Sequence, residues 1–159
     1  MDKQQKIIIS VLCVVLALLL AFTLIILIHG PFTYFEPPLA DENAQTGIPQ
    51  LTEGTLGSIT GGPGFRFLLA KEPMYENGKV ALYFTSPETN TVWMVAELCD
   101  ANGNTIGKSG LLRPGEYVES ITVYEDATVG EAITVRILSY EPDTYYSMGS
   151  VNVDLPLRK

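Results

Sequence analysis

The chain of 159 residues contains one histidine and two cysteines, and this shortage excludes several classes of site. His29 lies roughly 35 residues before the predicted domain, so no Ser-His-Asp or Cys-His catalytic arrangement can be assembled inside it. Zinc sites need clustered histidine and cysteine side chains, and the sequence has no such cluster. The sequence therefore predicts a protein that is not an enzyme, with no catalytic residues, no metal site and no cofactor.

The two cysteines, Cys13 and Cys99, fall in different parts of the chain and cannot staple one domain internally. Stability must then come from packing. For Cys99, a buried inert thiol and an exposed thiol that forms an intermolecular disulfide both remain open. Because the sequence also lacks an Asn-x-Ser/Thr glycosylation site, this composition favours a bacterial surface protein.

Basic side chains are scarce beyond the N-terminus. Residues 30–159 carry 8 basic and 17 acidic side chains, a net charge of -9. Nucleic acid and anionic lipid surfaces would repel such a domain, so neither is expected as its partner.

One long apolar run begins at Ile7 and ends at Ile28. Its 22 residues, rising about 1.5 Å each as a helix, span the roughly 30 Å of a bilayer core, so the lipid bilayer is the predicted partner of this segment. A cleaved signal peptide has a shorter apolar core of about 7–15 residues and a small-x-small cleavage site, which is missing here.

The flanks of the apolar run predict its orientation. Lys3 and Lys6 precede it and acidic residues follow it, so the positive-inside rule places the N-terminus in the cytoplasm. Residues 1–29 are therefore predicted to be a cytoplasmic tip and an uncleaved signal-anchor, with the C-terminal domain extracellular. Tyr34 and Phe35 suit the interfacial aromatic belt.

Residues 30–64 are rich in glycine and proline and show no apolar periodicity, which predicts a flexible linker. The run Gly61-Gly62-Pro63-Gly64 matches neither the dinucleotide-binding nor the Walker spacing, and a hinge is the favoured interpretation.

Residues 65–159 show apolar side chains at every second position in short runs bounded by turn residues. This pattern predicts an all-β domain of about seven strands, an immunoglobulin-like or fibronectin-III-like antiparallel β-sandwich, with an open OB-type barrel as the alternative. The predicted inward positions are Phe65, Phe67, Leu69, Val80, Leu82, Phe84, Val92, Met94, Ala96, Leu98, Ile121, Val123, Ile133, Val135, Ile137, Val151, Val153 and Leu155.

Turn signals separate these runs. Asn77-Gly78 and Asn102-Gly103 predict hairpin turns, and Pro114-Gly115 predicts a type II turn. Asp100, Asn102 and Asn104 also match the start of a calcium-binding loop, but glycine stands at the fourth position instead of the sixth and Leu111 replaces the final glutamate. A hairpin turn is therefore favoured over a calcium site.

The layout resembles small Gram-positive surface proteins that pair a signal-anchor with one immunoglobulin-like domain. The resemblance covers residues 78–153 and rests on the paired strands, on the loop at residues 100–104, and on Leu112-Arg113-Pro114-Gly115-Glu116-Tyr117, which looks like a turn common in bacterial immunoglobulin-like modules. It implies adhesion, scaffolding or membership of an envelope complex.

Several aromatic and apolar residues fall on nominally outward strand positions and form a candidate interaction surface, with buried structural roles as the alternative. They are Tyr83, Trp93, Val95, Leu138, Tyr140, Tyr145 and Tyr146. Glu116 and Glu119 are candidates for an acid/base pair, but their odd spacing in a strand predicts that they lie on opposite faces.

These observations predict a non-catalytic membrane-tethered domain that makes protein-protein contacts in a bacterial envelope, secretion, conjugation or adhesion assembly. The alternative is a module that binds a glycan or peptidoglycan fragment through Trp93 and the tyrosines.

Overall fold

The computed structural model describes residues 2–29, 35–125 and 127–159, with the side chains of 26–29 left out of the description. The chain forms two compact units, Met1–Glu36 and Pro37–Lys159. The expected interfacial position of Tyr34 falls outside the described residues.

The first unit contains one helix, α1, over Lys3–His29. Its residues from Lys3 to Ile25 are long and apolar enough to cross a membrane, and none of that surface is buried against the rest of the protein. The hydroxyl of Thr23 donates to the carbonyls of Leu19 and Leu20, 2.9 Å from each oxygen, so this polar group is satisfied within the helix. The predicted helix over residues 7–28 is confirmed.

The second unit is built from ten strands in two antiparallel sheets. In chain order the strands are β1 (Gln45–Thr46), β2 (Leu56–Gly62), β3 (Phe65–Ala70), β4 (Met74–Glu76), β5 (Lys79–Ser86), β6 (Trp93–Cys99), β7 (Thr105–Lys108), β8 (Glu116–Thr122), β9 (Ala132–Tyr140) and β10 (Ser147–Pro156). One sheet has the order β1-β8-β5-β3-β2, with β4 paired to β5, and the other has the order β10-β9-β6-β7.

The inner faces of the two sheets share one hydrophobic core, which confirms the predicted antiparallel β-sandwich. Every predicted inward position is buried except Val151, Val153 and Leu155, which are half-buried because β10 lies at the edge of its sheet. The period-2 alternation therefore located the core from sequence, because each strand has one face against it.

All three turn predictions can be checked from backbone geometry. At Asn102-Gly103 the amide of Gly103 donates to the carbonyl of Asp100 at 3.0 Å, and Gly103 has a φ of 84°, which confirms a turn between β6 and β7. Asn77 and Gly78 have φ angles of 51° and 75°, the two positive values of a type I′ hairpin turn. At Pro114-Gly115 the amide of Glu116 donates to the carbonyl of Arg113 at 3.1 Å, and Gly115 has a φ of 83°, as a type II turn requires.

The segment predicted to be a linker differs most from expectation. Both β1 and β2 lie within residues 30–64, and the compact sandwich unit begins at Pro37. The Gly61–Gly64 run is a hairpin between β2 and β3, where a Cβ on Gly61 would come within 2.6 Å of the Phe65 ring. Glycine there permits close packing. The sequence does not predict β2, because Gly57, Gly61 and Gly62 interrupt the alternation of apolar and polar residues in this strand.

Residues 39–46, which we term the N-terminal strap, cross one flank of the sandwich. The amide of Asp41 donates to the carbonyl of Leu111 at 3.0 Å, and a carboxylate oxygen of Asp41 accepts the amide of Gly110 at 2.7 Å. Further along, Gln45 and Thr46 pair with β8 in the other sheet. The strap therefore connects both sheets. Gly110 is required, since a Cβ there would lie 2.4 Å from the Cα of Asp41.

The buried side-chain amide of Asn90 forms hydrogen bonds with the backbone of Arg66 in β3, in place of a neighbouring strand. Asn90 is only 7% exposed; its Oδ1 accepts the amide of Arg66 at 2.9 Å and its Nδ2 donates to the carbonyl of Arg66 at 2.6 Å. The same Nδ2 donates to the hydroxyl of Ser86 at 3.1 Å. One side chain thus satisfies both backbone groups of Arg66.

We predict that Asn90→Ala lowers the free energy of unfolding by about 2–4 kcal/mol, because it removes three hydrogen bonds that the buried Asn90 side chain makes to Arg66 and Ser86. Urea denaturation of the full chain in detergent micelles measures this loss. Asn43→Ala, at an exposed position of the strap, is the matched control and should change stability by less than about 0.5 kcal/mol. Equal effects of the two substitutions would contradict the role assigned to Asn90.

Candidate interaction surface

The pairing of β6 with β9 gathers four of the seven predicted surface residues on the outer face of the four-stranded sheet. Trp93 lies opposite Tyr140, and Val95 lies opposite Leu138. Trp93, Leu138 and Tyr140 are half-buried. Val95 is 0% exposed although it faces away from the core, so it cannot contact a partner and the expectation for it is corrected.

Tyr83 is separated from the other six residues. It lies in β5 of the six-stranded sheet, where the pairing with β8 is irregular between Ala81 and Phe84. Tyr83 has a φ of 50°, the left-handed conformation that a bulky side chain rarely adopts. This irregularity shifts Tyr83 out of simple alternation, which sequence periodicity could not reveal.

A compact group of side chains surrounds Trp93 at one end of the sheet. The ring of Tyr145 meets Trp93 edge-on, with centroids 5.4 Å apart and an interplanar angle of 68°. The guanidinium carbon of Arg113 lies 5.7 Å from the Trp93 ring centroid, in cation-π geometry. Tyr146 follows and is 72% exposed. We call Trp93, Arg113, Tyr140, Tyr145 and Tyr146 the aromatic cluster.

Arg113 was not among the predicted surface residues. Leu112 pairs with Met94 through two backbone hydrogen bonds of 2.8 and 2.9 Å, which brings the next residue, Arg113, beside Trp93. The Pro114-Gly115 turn then fixes Arg113, whose amide donates to a carboxylate oxygen of Glu116 at 2.7 Å. The sequence predicts the Pro114-Gly115 turn, but it does not show that Arg113 lies beside Trp93.

The turn between β9 and β10 presents the two tyrosines. Its closing bond runs from the amide of Glu141 to the carbonyl of Tyr146 at 2.8 Å, and the amide of Tyr145 donates back to Glu141 at 3.0 Å. Asp143 and Tyr145 adopt φ angles of 68° and 57°. Backbone strain of this kind costs about 1–3 kcal/mol at each residue, so the surrounding contacts must offset it. The Trp93 ring contact is one of them.

Charged side chains cover the rest of the same face. Glu97 accepts ion pairs from Lys108 at 3.2 Å and from Arg136 at 3.4 Å, and its side chain is only 14% exposed. Between the neighbouring strands β9 and β10, the hydroxyl of Thr134 donates to a carboxylate oxygen of Asp154 at 2.7 Å. The outer face is therefore aromatic at one end and polar at the other.

The remaining candidate residues have structural partners. The carboxylate of Glu116 accepts a hydrogen bond from the amide of Arg113. The carboxylate of Glu119 accepts one from Gln45 Nε2 at 3.1 Å. Across the described parts of the chain, no group of three or more His, Cys, Asp or Glu side chains is placed to hold a metal ion. Cys99 is fully buried, which supports the inert thiol and not the intermolecular disulfide.

Asp100 organises the loop between β6 and β7. Its Oδ1 accepts the amides of Asn102 and Asn104 at 2.9 and 2.8 Å, and its Oδ2 accepts Asn104 Nδ2 at 2.9 Å. Hydrogen bonds from the Asn104 side chain, then from the backbone of Asn104 and from Asn102, lower the pKa of Asp100 below its ordinary value. The carboxylate oxygens are committed to the turn, as the hairpin interpretation requires.

Comparisons with protein-family models, with curated proteins and with solved structures found no match to this chain. The candidate surface therefore rests on its own geometry.

We predict that Asp100→Asn reduces stability at neutral pH and that the difference from the parent disappears in acid. Because the folded pKa of Asp100 is lowered, its contribution is complete above the unfolded value, 3.8, and is lost as the pH falls through the folded value. Thermal unfolding from pH 7 to pH 2 measures the difference. Glu53→Gln, an equal charge change at an exposed site, is the control. A difference that does not shrink as the pH falls below 3.8 would contradict this.

Proposed function

We propose that this chain is a single-pass membrane protein whose β-sandwich is extracellular and makes non-catalytic contacts with a protein partner in a bacterial envelope assembly. Support for the anchor comes from α1, whose apolar surface is unburied over Lys3–Ile25 and needs a bilayer to cover it. Support for the orientation comes from Lys3 and Lys6 ahead of the helix and from the acidic residues that follow.

The observation that carries the contact function is the aromatic cluster. Tryptophan, tyrosine and arginine dominate the energetics of protein interfaces, because they combine a large apolar area with directed polar groups. Here Arg113 and Tyr145 hold Trp93 in place, and Tyr146 is exposed next to them. A Trp93 side chain that these contacts already order loses less conformational entropy when it binds than a free side chain would.

An immunoglobulin-like topology and a Gram-positive cell surface are further parts of this proposal. They are supported by the two antiparallel sheets, by the type II turn at Pro114-Gly115 and by the absence of a disulfide within the sandwich.

A glycan-binding module is the second candidate, favoured by the exposure of Tyr146. Sugar rings stack on aromatic faces that are free of other contacts. Arg113 and Tyr145 already contact the Trp93 ring, so a sugar would rely on Tyr146 and Tyr140. For this reason we rank the protein partner first.

Site-specific photocrosslinking tests the contact function. A photoreactive phenylalanine analogue at position 146 of the full chain, in cells that carry it, should yield a protein adduct. Arg113→Ala should reduce that adduct about tenfold, since it removes support from the cluster. The same analogue at Tyr124, an exposed tyrosine outside the cluster, is the control. Equal adducts at positions 124 and 146 would refute the assignment of the partner site.

Trp93 fluorescence distinguishes the second candidate, because the chain has a single tryptophan. We expect no shift when peptidoglycan fragments are added to the full chain in micelles. A saturable shift that Tyr146→Ala abolishes would favour the glycan function instead.

A further inference from the structure

The stretch of chain that carries Arg113 of the aromatic cluster, residues 110–117, lies between the N-terminal strap and β6. Both backbone groups of Leu111 are hydrogen-bonded to the strap, at 2.8 and 3.0 Å. Both backbone groups of the next residue, Leu112, are hydrogen-bonded to Met94 in β6, at 2.8 and 2.9 Å. The strap therefore pairs with one side of this stretch and β6 with the other.

The chain leaving the strap holds the far end of the same stretch. The last two residues of the strap, β1, pair with Tyr117 and Glu116 in β8. Immediately after the strap, the amide of Gly47 donates to the carbonyl of Gly115 at 2.7 Å. Arg113 thus lies between two sets of hydrogen bonds that both come from the N-terminal part of the sandwich.

The strap is held mainly by hydrogen bonds and buries little apolar surface. Leu39 is 85% exposed, and Ala44 packs against the core only as a half-buried side chain. The carboxylate of Asp41 adds its hydrogen bond to the amide of Gly110. Segments with few buried apolar contacts open at a lower free-energy cost than the core does. We therefore expect the strap to detach while the two sheets stay packed.

We propose that the N-terminal strap is a latch that controls the aromatic cluster. When the strap is docked, the stretch 110–117 is hydrogen-bonded on both sides and Arg113 lies over the Trp93 ring. When the strap detaches, Leu111 and Gly115 lose these partners, and Arg113 leaves the ring.

The latch acts on one side of Trp93. Arg113 depends on the strap through its neighbours in the chain, whereas Tyr145 is placed by the turn between β9 and β10, whose backbone bonds join Glu141 to Tyr145 and Tyr146. Detachment of the strap therefore uncovers the face of Trp93 that Arg113 covers and leaves the Tyr145 contact in place.

The consequence for binding rests on the proposed function of the cluster. A partner that binds the docked arrangement of Arg113 and Trp93 stabilises the docked strap, and docking strengthens the binding of that partner by the same factor. The coupling between the strap and Trp93 itself requires no partner and can be measured without one.

Acrylamide quenching of the single tryptophan, in the full chain in detergent micelles, tests this coupling. Asp41→Ala removes the carboxylate bond to Gly110, and Gly110→Ala places a Cβ 2.4 Å from the Cα of Asp41, so each releases the strap from a different side. Both should raise the quenching constant of Trp93 by most of the change that Arg113→Ala causes. Glu42→Ala, an exposed acidic neighbour in the strap, is the control and should change nothing. An unchanged constant in both strap variants would overturn the proposal.

A double substitution tests whether the strap acts through Arg113. Adding Asp41→Ala to Arg113→Ala should not raise the quenching constant of Trp93 further, because the cation-π contact is already lost. A second rise of full size would show that the strap acts on Trp93 by another route, and the latch would be wrong. If the chain has no protein partner, photocrosslinking at position 146 fails while this coupling remains, so the two proposals can fail separately.

A disulfide that locks the strap provides the reverse test. Gln45→Cys and Tyr117→Cys, at facing positions of β1 and β8, can be joined because antiparallel Cα atoms about 4.5–5.5 Å apart suit a disulfide. In a Cys13→Ala, Asp41→Ala background, oxidation should return the quenching constant of Trp93 towards the parent value, and reduction should raise it again. Equal constants for the oxidised and reduced forms would contradict the latch.

Discussion

The pairing of β6 with β9 is the constraint on which the sandwich and its candidate surface both depend. One register sends Met94, Ala96 and Leu98 into the core and puts Trp93 opposite Tyr140 on the outside. A slip of one residue would exchange these two sets and bury Trp93 and Glu97 in the core. The Glu97–Arg136 ion pair joins the same two strands and supports this register, because a one-residue slip would place Arg136 and Glu97 on opposite faces of the sheet.

The sequence predicts a strand well when the residues on its two faces differ strongly in polarity. β3 and β9 alternate clearly, and the sequence predicts their buried positions correctly. The inward positions of β5 and β6 are also predicted correctly, although Tyr83 and Val95 depart from the alternation. The sequence predicts a linker where the strap and β2 lie, because backbone groups and one carboxylate, Asp41, make the pairing there and leave no apolar pattern. Hydrogen bonds of the main chain have no signature in side-chain periodicity.

For the candidate surface, sequence reasoning found the tyrosines and Trp93 but not what joins them. Arg113 reaches Trp93 through a bridge between Met94 and Leu112, a contact between segments that periodicity treats separately. Tyr83 and Val95 were included because strict alternation points both outward. The irregularity in β5 and the complete burial of Val95 show where alternation alone fails. Alternation predicts which face of the sheet a side chain points to, but not whether neighbouring side chains cover it.

In the proposed topology, α1 spans a membrane and the sandwich lies outside the cell. Protease treatment of intact cells that produce the full chain, with detection of both chain ends, tests the claim most directly. We expect loss of the C-terminal end before lysis, with the N-terminal end protected. Digestion of the sandwich only after lysis would contradict the claim.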